Sequence, residues 1–316
     1  MNPLERVRLG RTDVTVTRLG IGLAPLGGLF EASSDENARQ TVEHAYELGI
    51  RYFDVAPLYG NGLAERRTGP PLRGKKATLS TKVGRLLRPG GGDTQDIWAE
   101  PTGVTPKFDF SAEGVRTSYA ESLSRLGLER ADILHLHDPD DHFEQAVNEA
   151  LPALVELREQ GRIGAVSAGM NQAKMLAEFV RTGQLDAVLL AGRYTLLDQS
   201  GGDELLPLCA SRGVGVIVGG VFNSGLLADP RPGATFDYAP ADPALLERAL
   251  AIRAVCERHG VPLRAAAIQF PATHPAVTSV LVGTRSAAEV EDAVRMASVP
   301  IPAVLWNSLR AEGLLA

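Results

Sequence analysis

From residue 19 onward, apolar runs of four to six residues alternate with amphipathic segments of about ten to eighteen. That alternation is the habit of parallel strands with helices packed outside them. The runs fall at 19–23, 52–55, 78–82, 133–137, 165–168, 187–190, 214–218 and 279–282, and the amphipathic segments at 36–48, 111–126, 143–160, 172–182, 203–211, 243–258 and 287–297. Several of these segments stop at a glycine suited to a left-handed cap, Gly127 and Gly213 among them. Ahead of them, residues 8–16 read as a small hairpin around a Gly-Arg-Thr-Asp turn. Eight such units predict an α/β fold, a (β/α)8 TIM barrel with an N-terminal β-hairpin, over residues 1–316 as one domain. An open doubly wound sheet fits less well, because residues 19–27 are glycine-rich without the G-x-G-x-x-G spacing of a dinucleotide loop. Two stretches break the rhythm, 85–109 and 221–242. Both are expected to be long irregular loops on the face that carries active sites in barrels.

Composition narrows the class. The 316 residues are 44% hydrophobic and 22% charged, with a net charge of -6, so a soluble globular protein with no nucleic-acid or membrane partner is expected. No apolar segment reaches the roughly 20 residues of a membrane span, and residues 1–6 lack a signal-peptide core, which makes the cytoplasm the expected location. Cys209 and Cys256 have no metal or disulfide spacing and read as buried free thiols.

Candidate chemistry sits where the strands end. Asp54, Lys82 and His137 close the second, third and fourth runs, and Tyr59 stands in the turn five positions past Asp54. In a barrel those strands are neighbours about 4.8 Å apart, so the side chains can meet. A lysine paired with the buried aspartate keeps its charge, and a cation beside a phenol is expected to bring the Tyr59 pKa down from about 10. Tyr59 is then a candidate proton donor or acceptor, and His137 a group that orients a substrate oxygen. The set offers no nucleophile and no metal site, so something else must carry a hydride. His135 reads as a hydrogen-bonded interior histidine, and Trp98 as a loop anchor that is also a candidate substrate contact.

Asp54, Tyr59-Gly60, Lys82 and His137-Asp138-Pro139 together resemble the catalytic tetrad of the aldo-keto reductases, and the resemblance runs from the opening hairpin to Gly283-Thr284-Arg285-Ser286. Residues 59–67, 169–172 and 219–227 are most similar to the aldose 1-dehydrogenase branch. The resemblance implies NAD(P)-dependent oxidation of the C1 hemiacetal of an aldose, of the L-fucose, D-arabinose or L-galactose type, to a lactone. Pyridoxal 4-oxidation and general aldehyde reduction are alternatives within the family. It also implies that the cofactor contacts Gly22, Asp54 and Asn171, lays its pyrophosphate on Phe222, Asn223, Ser224, Gly225 and Leu226, and places adenosine by Gly283, Thr284, Arg285, Ser286 and Glu289. Arg285 and Ser286 lean the expectation towards NADP over NAD, and Glu289 opposes it. The chain departs from common family patterns at Gly169-Met170, Gly219-Gly220, Glu289 and Ala293. Two other classes are open to the residues alone: a metal-dependent barrel hydrolase using His135 and His137, and a cofactor-binding regulatory subunit without turnover.

Overall fold

The structure is a computed structural model that describes residues 1–90 and 97–316. Strands β1 (Arg6–Arg8) and β2 (Thr15–Thr17) form the expected antiparallel hairpin. The next are β3 (Leu19–Gly22), β4 (Tyr52–Asp54) and β5 (Thr78–Val83), then β6 (Arg85–Pro89) and β7 (Val104–Phe108), then β8 (Ile133–His137), β9 (Ala165–Met170), β10 (Ala187–Ala191) and β11 (Gly215–Gly219). The short β12 (Thr235–Phe236) and β13 (Ala239–Pro240) precede β14 (Val277–Gly283). Eight of these close a parallel barrel in the order β3, β4, β5, β8, β9, β10, β11, β14. Each overlaps one of the apolar runs read from the sequence.

Burial separates the two ends of the barrel. Leu9 and Val16 of the hairpin pack with Tyr52, Ile133, Ala187, Ile217 and Leu281 into an inner cluster that plugs the N-terminal end. A larger apolar layer joins the strands to the surrounding helices. The C-terminal strand ends are thereby left as the open mouth, where barrel loops build sites. Cys209 and Cys256 are buried, and burial pushes their thiols up to about 12 and about 11. Among the described residues no helix is long and apolar enough to cross a membrane.

Three helices go beyond the sequence expectation: Leu63–Leu72, Leu263–Gln269 and Ala303–Ala311. The first carries Pro70 and Pro71 in its last turn, and the second is buried along nearly its whole length, so neither shows an amphipathic period. The stretch 85–109 is not an irregular loop throughout, since β6 and β7 pair over five residues each. Pro89 and Pro106 disguise that ribbon, because proline is tolerated in strands only at unpaired or edge positions. Residues 91–96 of the same stretch lie outside the described residues.

Candidate active site

Asp54 ends β4 and Lys82 lies near the end of β5, and they are 3% and 2% exposed. Burying two charges is unfavourable unless they meet each other. They do: Lys82 Nζ lies 2.6 Å from Asp54 Oδ2 and donates a second hydrogen bond to the Val55 carbonyl at 3.0 Å. Ser80 Oγ donates to Asp54 Oδ1 at 2.6 Å and meets the Tyr52 hydroxyl at 3.1 Å. His135, fully buried on β8, bonds Ser167 Oγ through Nδ1 at 2.8 Å and has Nε2 3.6 Å from Asp54 Oδ1.

Tyr59 comes over this pair from the turn after β4. Two glycines make the approach possible. Gly60 has φ of 56°, and a Cβ on it would stand 2.1 Å from the Gly27 carbonyl oxygen, while a Cβ on Gly27 would stand 2.6 Å from the Gly60 nitrogen. Only bare backbone lets the two turns press together this closely. The Tyr59 ring centroid is 4.7 Å from Lys82 Nζ, 5.9 Å from the His137 ring at an interplanar angle of 89°, and 6.2 Å from the Trp98 ring. The four residues singled out at the strand ends are therefore one cluster at the barrel mouth.

The electrostatics correct one expectation. Burial first, then the Asp54 carboxylate, hold the Tyr59 phenol well above its ordinary value, not below it. The Lys82 charge is already met by Asp54, so the pair presents little net positive charge to the phenol. Burial, then Arg85, Lys82 and His135, push His137 well below the usual imidazole range, and it stands neutral. His137 is 6% exposed, its Nδ1 has no hydrogen-bond partner among the described residues, and its Nε2 is 3.5 Å from Asp138 Oδ2.

Trp98 is 9% exposed and anchored: its segment bridges Leu29, with Phe30 N donating to the Ile97 carbonyl at 2.7 Å and Ala99 N to the Gly28 carbonyl at 2.8 Å. Glu100 adds a two-pronged pair with buried Arg67, at 3.0 and 3.1 Å. The Trp98 Nε1 donor is buried without a partner among the described residues.

The residues expected at a cofactor lie on several elements beyond the cluster. Gly22 pairs with Asp54 on one side and Gly283 on the other. Asn171 follows β9 directly and is partly buried. Asn223 and Ser224 both take left-handed backbone, at φ of 45° and 58°, next to Gly225. Phe222 is half-buried, and the Leu226 side chain is buried in the apolar core, which leaves backbone as what this residue offers a ligand. Ser224 is held from above, its Oγ accepting from Tyr238 N at 3.0 Å and its carbonyl from Thr235 Oγ1 at 2.6 Å. At the far end a cavity of about 400 Å³ is lined by Pro25, Glu31, Ser33, Asn37, Arg285 and Glu289, with Ser286 capping the helix Ala287–Ser298 beside it. The residues present fit a nicotinamide dinucleotide. Asn223 Oδ1 and Thr284 Oγ1 are buried acceptors with no partner among the described residues, and Gly225 leaves open space where a side chain would stand.

Sequence reading missed Arg85, Glu31, Asn37 and Tyr238 at these sites. Arg85 carried a signal, being a cation three residues past Lys82. Glu31 and Asn37 reach the Arg285 region only through long-range folding.

The chain is similar to several known proteins over most of its length. The chain is 41% identical to D-threo-aldose 1-dehydrogenase of a Pseudomonas species, covering 96% of this chain and 95% of that one. It is 40% identical to pyridoxal 4-dehydrogenase of Microbacterium luteolum (99% and 98%), and 34% identical to L-galactose dehydrogenase of Arabidopsis thaliana (93% and 88%). Among solved structures, an aldo-keto reductase from Bacillus halodurans in its holo form superposes with a TM-score of 0.79 at 25% identity, covering 99% of this chain and 96% of that one. The description "Aldo/keto reductase family" matches residues 18–311. The chain belongs to the aldo/keto reductase family and is an oxidoreductase of the kind that works with a nicotinamide cofactor.

Proposed function

We propose that this enzyme oxidises the C1 hydroxyl of a cyclic aldose, of the L-fucose, D-arabinose or L-galactose type, to the lactone. The observation that carries the reading is the buried Asp54–Lys82 pair packed under the Tyr59 ring with neutral His137 at its edge. The relatives that act on aldoses support the substrate class. When bound, the nicotinamide supplies the two-electron acceptor for the C1 hydrogen. Tyr59, once ionised to the phenolate, takes the proton of the C1 hydroxyl as the carbonyl forms, which makes the oxidation favour alkaline pH. Lys82, fixed by Asp54, keeps a cation against the ring. His137, neutral, hydrogen-bonds the same oxygen and orients it. Trp98 Nε1 is a donor for a further hydroxyl. Cofactor contacts are proposed at Gly22, Asp54, Asn171, residues 222–225 and residues 283–286.

At the adenosine end we propose NAD, although the sequence alone leans to NADP. Arg285 is not free to meet a 2′-phosphate: its Nε is 3.2 Å from Glu289 Oε1 and its Nη1 3.4 Å from Glu31 Oε2. Two carboxylates around one guanidinium oppose a dianion and suit a ribose hydroxyl.

A second reading has equal support in the 40% identity to a pyridoxal 4-dehydrogenase over 99% of the chain. Pyridoxal also forms a cyclic hemiacetal, so the residues keep the same roles. One screen separates the two, with L-fucose, D-arabinose, L-galactose and pyridoxal each tested with NAD and NADP. Tyr59→Phe then tests the mechanism on the best substrate. Turnover is expected to fall by about a thousandfold or more with cofactor affinity nearly intact, and a variant keeping about a tenth of the wild-type rate removes Tyr59 from the chemistry.

A further inference from the structure

We infer that Arg85 is a further active-site residue, a second cation beside Lys82 that assists proton removal by Tyr59. The inference rests on the proposed role of Tyr59. Arg85 opens β6, three residues past Lys82, and the chain turns sharply between them. Gly84 has φ of 100°, and a Cβ there would stand 2.1 Å from the Phe110 ring. After that turn the Arg85 residue is only 9% exposed. Its guanidinium covers the Phe108 ring at 4.6 Å and donates to Asp138 Oδ2 at 2.7 Å. Its Nε is buried and has no partner among the described residues. Asp138 in turn lies 3.5 Å from His137 Nε2, and the His137 ring meets Tyr59. Arg85, Asp138, His137 and Tyr59 are one contiguous group.

Structural duty alone leaves this arrangement unexplained. A guanidinium removed from water is unfavourable, and one carboxylate met through one nitrogen leaves other donors unused. Lys82 is already committed through two hydrogen bonds, to Asp54 and Val55. Of the charged and titratable groups that act on the Tyr59 phenol, Asp54, Tyr238 and Asp138 oppose its ionisation, and Arg85 favours it. His137 is neutral, and Asp140 faces Arg85. In a mouth whose carboxylates oppose a phenolate, Arg85 offsets the Asp138 charge that it meets and is the group among these that favours ionisation.

The test follows oxidation of the best substrate from about pH 6 to 10 in wild type, Arg85→Gln, Arg85→Lys, Asp138→Asn and Arg85→Gln/Asp138→Asn. The phenol is held above its ordinary value, so kcat/KM rises with pH across this whole range, and losing the cation moves that limb up by about one unit, read as about a tenfold lower kcat/KM at each pH in Arg85→Gln. Arg85→Lys restores the limb but raises KM, because an ammonium lacks the planar fork. If Arg85→Gln does not fold with Asp138 left unpaired, the double variant against Asp138→Asn alone gives the same comparison. A tyrosinate absorbance titration, differenced against Tyr59→Phe, reads the shift without turnover. A limb unmoved in Arg85→Gln and in the double variant overturns the inference. Tyr59→Phe separates the failures: an active Tyr59→Phe removes the mechanism, whereas an inactive one beside an unmoved Arg85→Gln limb removes only the role of Arg85.

Discussion

Asp54 and Lys82 are expected to be strongly coupled in stability as well as in catalysis. Their side chains are 4% and 2% exposed at 2.6 Å, so removing either charge leaves the other in a site that water does not reach. Breaking a buried pair from one side costs about 3–5 kcal/mol, whereas replacing both partners by neutral groups is often close to neutral. For 316 residues the unfolding entropy near the midpoint is about 0.7 kcal/mol/K, so Asp54→Asn or Lys82→Met alone should lower Tm by about 5–8 °C. Asp54→Asn/Lys82→Met should lose less than the sum of the two, by a coupling of about 3 kcal/mol. Urea denaturation of the four proteins measures all of this. Strict additivity of the two single losses would refute the argument, because it would mean that neither charge depends on the other.

His135 and His137 are both held well below the ordinary imidazole value, chiefly by burial, so the unfolded chain binds protons near pH 6.5 that the folded chain does not. Stability from these groups is complete above the unfolded value and falls with pH below it, approaching about 2.7 kcal/mol per pH unit for two protons; urea midpoints that stay level between about pH 7 and 5 contradict this. For the cofactor, Glu31→Gln and Glu289→Gln release Arg285 from partly exposed pairs worth at most about 1 kcal/mol each, so each should raise NADP over NAD in kcat/KM by up to about fivefold. A wild-type enzyme that already prefers NADP defeats that reasoning before any variant is made.

The eight barrel strands were legible because strands buried on both faces read as unbroken apolar runs, and the tetrad was legible because its members sit where those runs stop. What escaped depends on contacts between distant segments. Pro70 and Pro71 hide the helix after Tyr59, and Pro89 and Pro106 hide the ribbon β6–β7. Arg85 lies past a strand end, and only the conformation of Gly84 shows that the chain turns back there. The electrostatics of Tyr59 were misread for a related reason. The sequence offers Lys82 as a neighbour but not the burial of the phenol, nor how completely Asp54 claims the ammonium.

The loops around the mouth also share supports, which bears on how specificity is divided among them. Glu100, two residues from Trp98, is tied to Arg67, which also reaches Asp35 and the Leu26 carbonyl, and it accepts from Ser33 N at 3.1 Å. Ser33 and Glu31 line the cavity proposed for adenosine, so the segment carrying the proposed substrate donor and the wall of that cavity hang on the same ion pairs. On the opposite rim Tyr238 is fastened to Ser224 of the proposed pyrophosphate loop, and its ring reaches Phe30 at 6.1 Å, next to Glu31. Buried Arg67 has few alternative arrangements, so a change at Glu100 displaces both segments, whereas Tyr238 and Phe30 are exposed and tie the opposite rim more loosely. Under the proposed function, substrate choice and cofactor choice are therefore expected to be coupled through Arg67, and neither belongs to one loop alone.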